Sequence, residues 1–165
     1  AGPSLSLLQN DLLNLRKNYL RLVNVISTIN FTAYLGIIFL AAPIVTMLYG
    51  ENYIHIVPIV QVLSIYMFFR SLCNPIGSLV IATGRTDLEF YWNIYSLAFY
   101  PIFIYLGSFF GINGVASSLA LFMILAIYPF WKLLIKNMIG VSFSNYIKSL
   151  TPNFRIILLE LKQIK

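Results

Sequence analysis

Arg70 lies inside a long apolar run and Asn74 follows it by four residues, so a helix through this stretch puts a guanidinium and a carboxamide on one face. A guanidinium presents five N–H donors in a fixed fork, a geometry that suits phosphate or carboxylate oxygens. At the centre of a bilayer span an arginine costs on the order of 2.5–3.5 kcal/mol on insertion scales, so it faces a bundle interior or a wet cavity. Snorkelling is hard from this depth, because the nearer end of the run is more than ten residues away. The plainer alternative is a structural arginine bonded to a backbone carbonyl. Pro75, the next residue after Asn74, removes a backbone hydrogen bond and lets the chain bend where backbone lines a cavity. Arg70, Asn74 and Pro75 are therefore the candidate pathway residues.

The other candidates are fewer and weaker. Asp87 and Glu89 form the one close carboxylate pair, in the charged loop Gly84-Arg85-Thr86-Asp87-Leu88-Glu89. Two carboxylates lack the ligand count a divalent cation needs, so Arg85 and Asp87 are read as a solvated ion pair on the cytoplasmic face, with Glu89 as a further partner of Arg85. Glu51 and His55 flank the external mouth of the second span and are read as wetted helix ends. With one cysteine, Cys73, and one histidine, the chain supports neither an internal disulfide nor a Cys- or His-built metal site. No HExxH, Walker, GxSxG or dinucleotide pattern is present, and the expectation is a protein that is not an enzyme and uses no cofactor.

These residues must be positioned by membrane helices. Hydrophobic residues make up 59% of the chain and charged residues 10%, against roughly 25% charged in soluble domains. The net charge of +6 does not point to nucleic acid, because the basic residues cluster at the ends of apolar runs, as topology selects. Four spans are expected, at about 24–49, 54–83, 90–107 and 112–131, within a transmembrane region 24–138. The last two follow from a charge-free stretch, Phe90 to Trp131, too long for one span of about 20 residues. Their reversal falls at Gly107 to Gly114, where glycines and an asparagine supply backbone freedom. Gly107 and Gly111 match a helix-pairing pattern that straddles the turn, so Gly114, Ser118 and Ala120 are the better candidates for close packing. Proline occurs in every span, at Pro43, Pro58, Pro75, Pro101 and Pro129.

Residues 1–23 carry Leu5, Leu8, Leu12, Leu15, Tyr19 and Leu22 at alternating steps of three and four, which predicts an amphipathic cytoplasmic helix. Residues 139–165 form a basic tail in which Thr151-Pro152 opens a second amphipathic helix with Phe154, Ile157, Leu158, Leu161 and Ile164 on one face, or a frayed terminus. Apart from Arg70, all the lysines and arginines fall on one side under four spans, and the positive-inside rule makes that side, with both termini, cytoplasmic. No signal-peptide pattern opens the chain, and its first residue, Ala1, is expected of a piece of something longer.

Pro3-Ser4-Leu5-Ser6 with the basic run Arg16 to Arg21, Arg70 with Pro75-Ile76-Gly77, Ala82-Thr83-Gly84-Arg85 with Asp87, and Gly111-Ile112-Asn113-Gly114-Val115-Ala116 together resemble the Wzx-type polysaccharide flippases. These belong to the multidrug/oligosaccharidyl-lipid/polysaccharide (MATE-like) exporter superfamily. The resemblance implies an all-α integral membrane protein, part of a six-helix bundle and the carboxy-terminal portion of a two-bundle transporter. It implies a bacterial inner-membrane protein moving undecaprenyl-diphosphate-linked oligosaccharide for O-antigen, capsule or exopolysaccharide synthesis. Expected partners are that lipid-linked oligosaccharide, membrane lipid, and further transmembrane helices from a longer parent or an oligomer. A toxin-extruding cation antiporter and a non-transporting membrane subunit are the alternatives; the first wants a buried carboxylate, which the spans lack.

Overall fold

The computed structural model describes residues 2–153, with side chains from Asp11 onward, and every regular element among them is helical. Helix α1 (Gly2–Tyr49) is continuous, with Pro43 inside it. Its 48 residues extend about 70 Å at 1.5 Å per residue, more than twice a hydrocarbon core of about 30 Å. From Gly2 onward, the predicted amphipathic segment and the first span 24–49 are thus one helix. It stops at Gly50, whose φ of 89° is open to glycine and strained for other residues. A 3₁₀ segment, Glu51–Ile56, leads into α2 (Val57–Ser71), which has Pro58 in its first turn.

The predicted stretch 54–83 is bent. Pro75 has no N–H, and its ring would clash with the Ser71 carbonyl in a continuing helix. The chain tightens instead into a turn, with Cys73 N–H on the Arg70 carbonyl (3.1 Å), Asn74 N–H on Ser71 (3.1 Å) and Ile76 N–H on Cys73 (3.2 Å). Beyond it come α3 (Ile76–Thr83), capped by Gly84, and α4 (Thr86–Ser108). Helix α5 (Gly111–Phe130) runs through a π-helical segment, Trp131–Ile135, into α6 (Lys136–Ile139), and α7 (Phe143–Leu150) follows.

Three helical stretches among the described residues, Asp11–Tyr49, Glu51–Thr83 and Gly111–Ile139, are long and apolar enough to cross a membrane. Helix α4 is 23 residues long, but Tyr91, Tyr95, Tyr100 and Tyr105, with Asn93 and Ser96, make it less apolar than these. Large side chains stay bare on the outer faces, such as Met47 at 89% and Phe39 at 76% exposure, which water would not tolerate and lipid or other helices would. The chain is an all-α, multi-pass membrane protein.

Helix α2 packs between α1 and α5, and α4 pairs with α5. Small residues let the α4–α5 hairpin close: a Cβ on Gly107 would fall 2.7 Å from the Gly114 carbonyl oxygen and 2.8 Å from Val115 Cα. Gly114 and Ser118 line this contact as expected, while Ala120 is buried in a cluster with Tyr66 of α2. Gly111 instead forms the turn, at φ 70°.

Two clusters of buried side chains result. One joins Tyr19 and Val23 of α1 to Ile76 and Leu79 of α3, Phe130 to Met138 of the α5–α6 rod, and Tyr146 of α7. The apolar stripe expected to lie on the membrane surface is therefore partly spent on protein, since Tyr19 is 4% exposed while Leu12 and Leu22 stay open. The second cluster joins Tyr66 of α2, Ala120 to Ala126 of α5, and aromatic residues of α4.

The beginning of the tail is held by hydrogen bonds rather than loose. Asn24 Nδ2 donates to the carbonyls of Ser149 (3.0 Å) and Thr151 (2.9 Å), Ser27 Oγ donates to that of Leu150, and Thr28 Oγ1 accepts from Asn153 N–H (2.9 Å). Arg16 donates twice to the Ile139 carbonyl, at 2.9 and 2.6 Å, satisfying the end of α6. The side chains of Leu5 and Leu8, and the predicted face Phe154, Ile157, Leu158, Leu161 and Ile164, lie outside what the structure describes.

Candidate functional site: a polar cleft facing Arg70

Arg70 occupies the last turn of α2, directly before the Pro75-induced bend. A cation there complements the unsatisfied carbonyls of the helix end. Its Nη1 donates to the hydroxyls of Tyr66 (3.3 Å), one turn earlier on α2, and Tyr100 (3.2 Å), on α4. The two hydroxyls are 3.4 Å apart, and Tyr100 donates to Met123 Sδ of α5 at 3.4 Å. Residues of three helices are thus joined in one chain of contacts that begins at the guanidinium. Both partners are neutral, and among the described residues no carboxylate forms an ion pair with Arg70. Two hydroxyls hold its Nη1, and neither brings a negative charge.

The guanidinium borders a cleft of about 430 Å³ between the α2–α3 bend and α4, with Met123 and Phe130 of α5 at its back. From the bend come Arg70 and Asn74, so the two candidates predicted to share a face do line one cavity. Pro75 is buried beside the cleft without lining it; its part is to make the bend. The opposite wall carries Glu89, Asn93, Ser96 and Tyr100, spaced four, three and four residues apart and therefore on one face of α4. Trp92 also lines it, stacked on Tyr95 at 5.4 Å and edge-on to Phe130 at 5.0 Å.

The loop residues separate. Arg85 Nε bonds Asp87 at 3.0 Å, with both side chains about half exposed. Hydrogen bonding to Arg85 holds the Asp87 carboxyl below its ordinary range, and the same bond raises the arginine's affinity for its proton. Neither residue reaches the cleft, whereas Glu89, expected as a further partner of Arg85, lines its mouth. His55 lies at an exposed helix start, its Nδ1 3.0 Å from the Asn52 carbonyl oxygen and its ring stacked on Tyr53. No group of three His, Cys, Asp or Glu side chains among the described residues could hold a metal ion.

A larger hollow of about 540 Å³ at the α4–α5 turn is walled chiefly by Phe103, Leu106, Phe110 and Leu121 and contains no charged side chain. Its polar lining is limited to Asn113, Ser117 and Ser118. Sequence reasoning identified Arg70 and Asn74 but missed Tyr66, Tyr100 and the α4 stripe. The available signal was the 4-3-4 spacing of Glu89, Asn93, Ser96 and Tyr100 in a helix otherwise treated as wall.

Comparison with known proteins accords with this architecture. The family described as "Polysaccharide biosynthesis protein" matches residues 1–58. The chain is 34% identical over 149 residues to "Lipopolysaccharide biosynthesis protein WzxC" of Escherichia coli (strain K12), covering 90% of this chain and 30% of that protein. It is 33% identical over 148 residues to an "Uncharacterized membrane protein in cps region" of Klebsiella pneumoniae, covering 89% and 30%. Over 91 residues it is 32% identical to "Teichuronic acid biosynthesis protein TuaB" of Bacillus subtilis (strain 168), covering 55% and 19%. A match to 90% of the chain includes the cleft, because the remaining tenth is shorter than either flank of Tyr66 to Met123. No solved structure matches. The chain spans less than a third of the length of these three relatives, and over most of its own length it is similar to Wzx-like polysaccharide biosynthesis proteins.

Proposed function

We propose that this chain is the carboxy-terminal part of a flippase that carries undecaprenyl-diphosphate-linked oligosaccharide from the cytoplasmic to the periplasmic leaflet of a bacterial inner membrane. The observation that carries the reading is Arg70, an exposed arginine in the last turn of an apolar helix, held by the hydroxyls of Tyr66 and Tyr100 and bordering a polar cleft. A diphosphate must shed water to cross a bilayer, and a fixed guanidinium replaces part of that hydration with charge-assisted hydrogen bonds. At about 4 Å such a pair is worth on the order of 4 kcal/mol at an effective dielectric near 20. Asn74 adds a carboxamide donor on the same side. Tyr66 and Tyr100 hold the fork in place without neutralising it.

The relatives' printed roles in lipopolysaccharide and teichuronic acid biosynthesis support the substrate class. Their greater length supports a parent in which other helices complete the pathway, since four spans do not make a two-bundle transporter. In this reading α4 also crosses the membrane, as the third of four spans, residues 1–23 and 139–165 lie on the cytoplasmic side with Arg85 and Asp87, and the Glu89 end of the cleft is the cytoplasmic mouth.

The test is Arg70→Leu in the full-length parent. Surface polysaccharide is lost while the amount of protein in the membrane stays normal. Unchanged polysaccharide at normal protein levels would remove Arg70 from the mechanism.

A further inference from the structure

The cleft has more chemistry than a diphosphate needs. An anion gains from Arg70 and Asn74, yet the α4 wall opposes it with Glu89, a carboxylate that repels phosphate. The same wall adds a carboxamide at Asn93, a hydroxyl at Ser96 and the indole of Trp92. Together these are an acceptor, a two-way amide, a two-way hydroxyl and an aromatic surface. A neutral polyol ring uses all four: its hydroxyls donate to the carboxylate and exchange hydrogen bonds with amide and hydroxyl, and its C–H face lies on an aromatic ring. Spacing agrees, because Glu89 to Ser96 spans about 10 Å along α4 at 1.5 Å per residue, room for one or two hexose rings.

Resting on the flippase reading above, we propose that the cleft is divided: Arg70 and Asn74 take the diphosphate, and Glu89, Trp92, Asn93 and Ser96 form a subsite for the sugar attached directly to it. The two halves face each other across one cavity, so a single lipid-linked ligand occupies both. The Trp92 wall is rigid, since the indole is fixed by Tyr95 and Phe130. Selection among repeat units then resides in the α4 wall, and retention of any polyprenyl diphosphate resides in Arg70.

The test uses the purified full-length parent in lipid nanodiscs and two probes, bare undecaprenyl diphosphate and the parent's own undecaprenyl-diphosphate-linked repeat unit. Asn93→Leu and the milder Ser96→Ala lower the ratio of affinities, sugar-bearing over bare, by about tenfold and about threefold respectively, as expected for lost hydrogen bonds to a ligand. Arg70→Gln weakens both probes and leaves the ratio at its original value. Each variant is scored only where its elution profile and melting temperature match the unsubstituted protein, and Ser96→Ala guards against misfolding of the leucine variant. An unchanged ratio in both α4 variants overturns the sugar subsite while the flippase reading stands. Binding of neither probe by the unsubstituted parent overturns both.

Discussion

The hydroxyl of Tyr100 on α4 accepts a 3.2 Å hydrogen bond from Arg70 on α2, thirty residues away in the chain. The contact ties the pathway wall to the bend, so whatever moves α4 relative to α2 also moves the guanidinium.

Tyr100→Phe removes one of the two hydroxyls on Arg70 and keeps the ring packed on Phe122 at 4.7 Å. The expected loss is about 1 kcal/mol in stability, with surface polysaccharide from the full-length parent reduced but detectable. Removing both hydroxyls, in Tyr66→Phe with Tyr100→Phe, approaches the Arg70→Leu phenotype. Thermal unfolding in detergent, paired with polysaccharide yield, checks both.

Gly107→Ala tests the α4–α5 contact. A methyl group there overlaps the Gly114 carbonyl and Val115, so the helices must separate, at a cost of about 1–3 kcal/mol. Gly36→Ala is the matched control, because nothing lies within 4 Å of its Cβ position and alanine favours the helix. The melting temperature falls for the first and holds or rises for the second.

Asn24→Ala releases the docked tail. Two carbonyls, of Ser149 and Thr151, lose a donor in a largely buried setting, worth about 1–3 kcal/mol. Amide hydrogen exchange across 143–150 accelerates about tenfold or more, while exchange across α5 is unchanged. Equal exchange in variant and parent would show that the burial of Tyr146, 1% exposed, holds α7 by itself.

The Arg85–Asp87 pair sets a pH expectation of definite sign. Asp87 has a lower carboxyl pKa folded than unfolded, so its contribution is complete above the ordinary carboxylate pKa of about 3.9 and is lost as pH falls through the lower folded value. Stability is therefore flat from pH 5 to 8 as far as this pair is concerned, and Arg85→Gln moves the Asp87 midpoint upward, towards its ordinary value. Carbon-detected titration of the Asp87 carboxyl reads this directly. Both groups are solvent-exposed, so the stability change is small.

The likeness to flippases, the helical class and most chain reversals were legible before any coordinates, because each is local. Hydropathy over a run of residues, a glycine that tolerates positive φ and a proline that lacks an N–H act within a turn or two of themselves. Gly50, Gly84, Gly111 and Gly140 all mark element ends with positive φ, and Pro75 makes the bend that the candidate site needs. Arg70 and Asn74 were legible for the same reason: an arginine in an apolar run is anomalous wherever the helix packs.

What the residues face was not legible, because it depends on how helices rotate against one another. Asp87 and Glu89 are two positions apart on α4, about 200° around the helix, and one pairs with Arg85 in solvent while the other lines the cleft. Asn24, Ser27 and Thr28, near the start of the first predicted span, bind carbonyls and an amide more than 120 residues away. Sequence alone determined that this chain builds membrane helices with one cation, Arg70, set within an apolar run. Only the tertiary structure decided that Tyr66 and Tyr100 would hold that cation and that a polar face of α4 would stand opposite, since both follow from packing between helices that no local pattern encodes.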